Sequence, residues 1–214
     1  MKRWPVIIAA FIILAGCADA SELSSPGPAS AVSWPASVSS SQADAQQSFA
    51  LSSIGYPLLV TSLGQSTDGL LVREMLSDVK ADYTYDAVVA PEELENYKTV
   101  LLAVGASSKA LGSLGRTTEA EFDRCKTLLQ AIPDETVVVL VRLGDSASQD
   151  SLTDALLDLA LPYADAALVT QHSDREGKIV KFAADHDIPC SVSDSVRQMT
   201  EVFSTLLCAS QSAQ

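Results

Sequence analysis

The strongest constraint on the fold is an alternation of short apolar runs with amphipathic segments, which begins near Pro57. The clearest apolar run is 136–143, and 99–104 is similar. Strands this apolar are usually buried on both faces, as in a parallel sheet covered by helices on each side. The sequence therefore predicts a doubly wound α/β domain, flavodoxin-like or Rossmann-like. We expect a mostly parallel sheet of five or six strands in a three-layer sandwich.

The predicted elements follow from the period of the apolar residues. Strands are predicted at 57–63, 83–90, 99–104, 136–143, 166–170 and 189–192. Helices are predicted at 70–80, 118–130, 151–161, 176–185 and 195–208, with a short helical turn at 91–96. Two helices begin with the pattern of a capping box, Thr118 with Glu121 and Ser151 with Asp154.

The first residues have the order of a lipoprotein signal. Lys2 and Arg3 precede a run of ten apolar residues, 6–15, and the sequence Leu14-Ala15-Gly16-Cys17 follows. The run is too short to span a bilayer as a mature helix and is typical of a signal peptide. We predict a signal peptide at 1–16, acylation of Cys17, and a lipid-anchored protein that faces outside the cytoplasm.

The segment that follows has a different composition. Of the 36 residues in 18–53, 12 are serine and only three are charged. Such a segment buries too little apolar area to offset its chain entropy, so 17–53 is predicted to be a lipidated tether about 30–36 Å from end to end. Whether Trp34 in this segment docks on the domain, lies at the membrane interface or is exposed stays open. The single α/β domain is predicted at 54–210, with a tail at 211–214.

Charge and cysteines narrow the classes of partner. The net charge is −13, and loss of Lys2 and Arg3 would leave −15 on the remaining side chains. An acidic surface repels nucleic acid and anionic headgroups, so no nucleic-acid partner is expected.

Cys125 and Cys190 follow apolar patterns typical of buried thiols, although a disulfide between Cys190 and Cys208 stays open. The spacing predicts no metal site and no cofactor.

The loop after the first strand is one candidate binding segment. Ligands of open α/β sheets bind beyond the carboxyl ends of the strands. Gln65, Ser66 and Asp68 lie in this loop, just before a helix whose N–H groups would favour an anion. Asp68 opposes an anion, and Ser66 or Asp68 is equally suited to capping the helix.

The loop after the third strand, 105–115, is the second candidate segment. It spans about a dozen residues, longer than usual. Ser107, Ser108 and Lys109 precede Gly112, and glycines 105, 112 and 115 indicate positive φ or close backbone approach. Lys109 would neutralise a carboxylate or phosphate, but no nucleotide fingerprint is present. A nucleophile pair of Ser107 or Ser108 with Lys109 is an alternative for which no oxyanion hole can be named.

Three further residues are predicted at the same edge: Arg142, Asp154 and His172. Arg142 ends the fourth strand, and His172 follows the fifth. His172 is a candidate base, a candidate pH sensor or an exposed loop residue. Asp154, with Asp145 and Asp174, lacks the spacing of a calcium loop.

Several of these motifs occur together in one known family. They are Gly64-Gln65-Ser66-x-Asp68, Tyr97-Lys98-Thr99, Gly105-x-Ser107-Ser108-Lys109-x-Leu111-Gly112-x-x-Gly115, Leu152-Thr153-Asp154, Ala164-Asp165 and Ile188-Pro189. In this order they resemble the domain-of-unknown-function family numbered 6305. The resemblance implies an exported or tethered α/β domain whose loops 65–68 and 107–115 form a shared site, and it supplies no reaction. The chain departs from the family at Gly144-Asp145-Ser146-Ala147-Ser148-Gln149, where the family usually has Gly-Gly and an arginine-rich segment.

The expected function is binding of a small polar or anionic ligand by a membrane-tethered domain, without an assigned catalytic residue. One alternative is a module that docks on a membrane transporter or sensor. The other is a hydrolase that uses Ser107 or Ser108 with Lys109 or His172.

Replacing the predicted lipidated residue tests the anchor. We expect Cys17→Ser to move the protein from the membrane fraction to the soluble fraction, because no acyl chain can then be attached. Fractionation and immunoblotting measure this. An unchanged membrane fraction would show that the anchor is not the lipid.

Overall fold

The computed structural model describes residues 54–144, 151–174 and 176–211, with side chains to 207. The predicted signal peptide at 1–16, the tether at 17–53 with Cys17 and residues 212–214 of the tail lie outside the described residues. The described chain forms a six-stranded, all-parallel sheet in the order β2-β1-β3-β4-β5-β6. The strands are β1 Leu58–Leu63, β2 Thr84–Tyr85, β3 Thr99–Val104, β4 Val137–Arg142, β5 Ala166–Thr170 and β6 Cys190–Ser193.

Helices follow the strands in alternation. They are α1 Asp68–Asp78, α2 Ser108–Ser113, α3 Thr118–Gln130, α4 Ser151–Ala160, α5 Lys178–Asp185 and α6 Val196–Gln211. Two 3₁₀ helices, Pro91–Asn96 and Leu161–Tyr163, precede β3 and β5. None of the helices in the described ranges is both long and apolar enough to cross a bilayer.

The sheet separates two apolar cores. Leu101, Val139 and Val141 face α1 and α6 together with Phe203, whereas Leu102 and Leu140 face α3, α4 and α5. This arrangement confirms the predicted doubly wound, three-layer fold. Strand order reverses between β1 and β3, because β2 lies on one side of β1 and all later strands lie on the other.

Two predicted segments differ from the structure. The strand predicted at 83–90 is only Thr84–Tyr85, because the chain turns at Asp86, whose Oδ1 accepts a hydrogen bond from the Val88 N–H at 2.9 Å. The long loop predicted after β3 contains the short helix α2, which begins where the Ser107 hydroxyl accepts from the Ala110 N–H at 3.2 Å.

The loops that follow β1 and β3 pair with each other at the switch point. The Ser66 N–H donates to the Gly105 carbonyl at 3.0 Å, and the Ser107 N–H donates to the Gly64 carbonyl at 2.9 Å. Gly64 has φ +92°, and a Cβ there would lie 2.5 Å from the Gly105 oxygen. At Gly105 a Cβ would lie 2.5 Å from Arg142 Nη1 and 2.7 Å from Ser66 Oγ. Close approach at Gly105 is therefore confirmed. At Gly112 the prediction was wrong, because no positive φ and no neighbour within 4 Å is found there.

A matched pair of glycine variants tests this packing. Gly105→Ala should lower the free energy of unfolding by about 1–3 kcal/mol, because the new methyl group overlaps Arg142 and Ser66. Gly112→Ala, in the open part of α2, should raise it by up to about 1 kcal/mol, since alanine loses less backbone entropy than glycine in a helix. Urea unfolding measures both. Equal effects of the two variants would contradict the packing at Gly105.

Candidate functional site

Glu121 is the most connected side chain at the carboxyl edge of the sheet. It lies in the first turn of α3 and is fully buried. Its Oε1 accepts from Arg124 Nη2 at 2.6 Å and from the Gly64 N–H at 3.0 Å, and its Oε2 accepts from Arg124 Nε at 2.9 Å and Arg116 Nη1 at 3.2 Å. The predicted capping box was therefore wrong. Thr117 caps the helix by accepting from Ala120, and Glu121 turns inward to bind the arginines and the end of β1.

The ionisation of Glu121 follows from these contacts. Burial acts to raise its pKa, but hydrogen bonds from Arg124, the charge of Arg124 and donors from Gly64 and Gln65 outweigh burial and lower the pKa to about 2. Glu121 is therefore a carboxylate at neutral pH. It holds two arginines at the edge and cannot serve as a general acid there.

Gln65 connects three segments of this edge. It has φ +59°, and its Nε2 donates to the Ala87 carbonyl at 3.0 Å and to Glu121 Oε1 at 3.4 Å. The side chain thereby joins the loop after β1 to the loop after β2 and to α3. Gln65 is a structural bridge as well as a predicted ligand residue.

Most backbone donors near the switch point already have protein acceptors. Ser66 Oγ accepts from the Asp68 N–H at 3.3 Å, and Thr153 Oγ1 accepts from the Ala106 N–H at 2.9 Å. The other occupied N–H groups are those of Gly64, Ser66, Gly105 and Ser107. An anion at this edge would therefore depend on side chains more than on a backbone cradle.

Asp68 and Arg142 form a second buried pair on the other side of the switch point. Arg142 Nη1 lies 3.4 Å from Asp68 Oδ2 and donates to the Val104 carbonyl at 3.2 Å, and the Leu143 N–H donates to Asp68 Oδ2 at 3.0 Å. The two side chains are 1% and 4% exposed. Within the described chain, Asp68 Oδ1 and Arg142 Nε have no hydrogen-bond partner. The pair braces α1 against the end of β4 and leaves one acceptor and one donor unused.

The second loop presents its predicted residues differently. Ser107 is occupied as the cap of α2, whereas Ser108, Lys109 and Gly112 are exposed on that helix. Among the described residues, Lys109 and His172 make no side-chain hydrogen bond or ion pair. Lys109 is thus an accessible cation beside the switch point.

The remaining predicted residues lie farther along the edge. His172 is exposed in the turn after β5, and Asp154 is half-buried in the first turn of α4. Asp174 caps α5 by accepting from the Ile179 and Val180 N–H groups at 3.0–3.1 Å. Asp145 lies outside the described residues, and the described His, Cys, Asp and Glu side chains form no cluster suited to a metal ion.

The structure thus brings Gln65, Ser66, Asp68, Ser107 and Arg142 to one point of the edge. It adds Arg116 and Arg124, which the sequence did not single out, and Glu121, which the sequence indicated only as part of a helix cap. Because Glu121 fits the pattern of a capping box, its contact with the end of β1 was not predicted. An Arg at each side of Glu121, five residues before and three after, was the available signal.

Two pockets lie at the opposite, amino edge of the sheet. One of about 450 Å³ is lined by residues that include Ile132, Pro133 and Tyr163, and one of about 300 Å³ is lined by residues that include Tyr163, Phe182 and Ile188. Ile132 and Pro133 directly follow α3. None of the residues that line either pocket is a predicted ligand residue.

Neither described thiol is poised for nucleophilic chemistry. Cys125 and Cys190 are free thiols, and burial raises the pKa of each to about 12. The predicted burial of Cys125 is confirmed, while Cys190 is half-buried.

Acid unfolding tests the role of Glu121. Its folded pKa of about 2 lies below the ordinary 4.5, so its contribution is complete above about pH 4.5 and is lost as pH falls towards 2. Glu121→Gln should cost about 3 kcal/mol at pH 7, because Arg124 then lacks its buried counter-charge, and should flatten the loss of stability between pH 4.5 and 2.

Glu119→Gln, an exposed residue in the same helical turn, is the control and should keep the parental acid dependence. An unaltered acid profile in Glu121→Gln would contradict the assigned role.

Comparison with known proteins agrees with the motifs and the geometry. No curated protein matches the chain. The sequence profile of a family described as a domain of unknown function, DUF6305, matches residues 55–207, which include all six strands of the sheet. The chain belongs to this family.

Proposed function

We propose that this protein is a lipoprotein, anchored outside the cytoplasm by acylated Cys17, whose α/β domain binds a small polar or anionic ligand at the carboxyl edge of its sheet. The observation that carries the proposal is the gathering of basic side chains at the switch point of an acidic domain. Arg116 and Arg124 share the single carboxylate of Glu121, and Lys109 is exposed on the adjacent helix. The cluster of Lys109, Arg116, Arg124 and Glu121 has a formal charge of +2, from three cations and one carboxylate, although the chain carries −13. The carboxylate of Asp86, which also acts on Arg124, offsets part of this positive charge.

A positive edge on an acidic domain favours a small anion over a large polyanion. The surrounding negative charge repels nucleic acid and anionic membranes, whereas a small ligand meets only the local field. In this proposal Lys109 and the exposed part of Arg116 pair with the anion. Ser66 and Ser108 supply hydroxyl groups around it.

The buried pairs have a supporting role in this proposal. Asp68 neutralises Arg142 and bonds to Leu143, so its carboxylate positions the edge and does not contact an anion directly. Gln65 and Glu121 fix the loop after β1 in the same way. The ligand would thus bind to a rim that is rigid before the ligand arrives, which lowers the entropic cost of binding.

The position of the anchor suits such a site. The described chain begins at the amino edge, where the Gly55 N–H donates to Thr99 Oγ1 at the start of β3. Strands of six residues separate the two edges by about 20 Å. A tether joined at the amino edge leaves the carboxyl edge free to meet soluble molecules.

A docking module is the second candidate. Leu70, Val88 and Leu114 are 45%, 41% and 56% exposed, and each belongs to a segment that follows the carboxyl end of a strand. A contiguous apolar patch of several hundred Å² suits contact with a membrane transporter or sensor, whereas exposed apolar side chains that lie apart are ordinary on a protein surface. Copurification from membranes would separate the candidates, since a partner lost on Leu114→Ser but kept on Lys109→Ala favours docking.

The hydrolase alternative has less support. The Ser107 hydroxyl accepts from the Ala110 N–H, so it acts as a helix cap. His172 follows β5, which is separated from β3 by β4. A nucleophile and its base must lie within hydrogen-bond reach, and no described contact joins Ser107 to Lys109 or His172.

A lysine pair tests the proposed function. Thermal unfolding is measured with phosphate, sulfate, citrate and glutamate, and the dissociation constant is obtained for each anion that raises Tm. Lys109→Ala should weaken binding about tenfold, because one charge-assisted contact is lost. Lys126→Ala, exposed on α3, should leave binding unchanged. The absence of any stabilising anion, or equal weakening by both variants, would contradict the proposal.

A further inference from the structure

The amino edge of the sheet carries a continuous apolar groove. The two pockets of about 450 and 300 Å³ share Pro162 and Tyr163, and together we call them the amino-edge groove. Its apolar lining comes from the end of α3, the second 3₁₀ helix and the end of α5, as Ile132, Pro133, Pro162, Tyr163, Phe182 and Ile188. Volumes of this size hold an aromatic group, and the proline and aromatic walls suit a flat, apolar one.

The groove differs in charge from the carboxyl edge. Asp134 and Asp165 lie in its lining, and no Lys or Arg does. The ring of His186 stacks on Phe182 with centroids 4.0 Å apart and Nδ1 2.8 Å from the Phe182 carbonyl, so this part of the wall is ordered. The acidic borders disfavour an anion, and the apolar walls favour an apolar side chain.

The chain that precedes the domain joins it at this same edge. The Gly55 N–H bonds to Thr99 Oγ1 at 2.8 Å, Thr99 pairs with Val137 of β4, and Val138 lines the groove. The groove therefore begins one strand away from the place where the described chain starts. Ile54 packs on the α6 side of the sheet, so a returning segment must cross the amino edge.

We propose that Trp34 of the segment that precedes the domain docks in the amino-edge groove. It is the only tryptophan in 17–53, a segment otherwise rich in serine and alanine. Trp34 lies 20 positions before Ile54 in the sequence. A flexible chain of that length has an end-to-end distance of about 22–27 Å, which covers the two strand spacings of about 10 Å and the turn around the edge.

Because Trp34 is covalently joined to the domain, a weak intrinsic affinity is enough to hold its side chain in the groove. A short flexible connection gives an effective concentration in the millimolar range, so an intrinsic affinity of that order keeps the groove occupied. Phe49 is the other aromatic residue of the segment, but it lies only five positions before Ile54, so five residue steps join the two. Fully extended, they span about 17 Å, which leaves little slack for crossing the edge.

Docking of Trp34 would also orient the domain. The shortest path from Cys17 would then run to the amino edge, with 16 residues between Cys17 and Trp34. The amino edge would face the membrane, and the carboxyl edge would face away from it. This consequence does not require that the carboxyl edge binds a ligand.

Tryptophan fluorescence tests the proposal on the full chain. Removal of residues 1–16 also removes Trp4, so the mature protein in detergent has Trp34 as its sole tryptophan, and Trp4→Phe gives the same result in an uncleaved chain. The Trp34 emission should be blue-shifted, and adding Pro162→Glu should shift it to the red and raise acrylamide quenching at least about twofold, because a charge then borders the groove. Pro91→Glu, also at the start of a 3₁₀ helix, is the matched control and should change neither signal. Circular dichroism confirms folding of each variant.

An emission that Pro162→Glu does not change would overturn the proposal, since an indole held in the detergent micelle behaves in that way. A photoreactive benzoylphenylalanine at position 34 gives a second measurement that does not depend on a groove variant. We expect crosslinks within one chain to peptides 129–138 and 161–165. Crosslinks to a second copy, to another protein or to other peptides of the same chain would each assign a different occupant and contradict the proposal.

Discussion

The pairing of Glu121 with Arg124 holds the carboxyl edge of this domain together. Both carboxylate oxygens bind the guanidinium, at 2.6 and 2.9 Å, and the same carboxylate also binds Gly64 and Arg116. A buried ion pair of this kind contributes little as a pair of charges, but it is costly to break. It fixes the turn after β1, and that turn pairs with the loop after β3. The shape of the candidate site therefore depends on a residue that need not contact any ligand.

The apolar pattern predicted the fold because it reflects burial directly. Residues 100–104 and 137–141 are apolar at every position, as doubly covered strands usually are, and both lie in central strands. The predicted range of the edge strand β2 was too long, because valines at 88 and 89 continue the apolar pattern after the chain has left the sheet. The local pattern of apolar residues indicates which side chains are buried. It does not indicate which backbone groups form hydrogen bonds with a neighbouring strand.

The candidate site was only partly predictable for a related reason. The rule that ligands bind at the carboxyl ends of strands selected Ser66, Ser107 and Lys109, which lie on two adjacent loops. It did not reveal that Ser107 caps a helix or that Glu121 reaches β1 across 57 residues of sequence. Contacts of that range depend on tertiary packing, which a single sequence does not display. Asp68 and Arg142, 74 residues apart, were each placed at the edge, but their pairing was not foreseen.

Ligand-dependent shifts of backbone amide resonances show directly whether an anion binds at the carboxyl edge, because they locate binding without a mutation. The isotopically labelled protein is titrated with the anion that stabilises it most. We expect saturable shifts confined to residues 64–69 and 105–116, with small changes elsewhere. Shifts centred on 129–138 and 161–165, or spread evenly over the surface, would contradict the assignment of the carboxyl edge as the binding site.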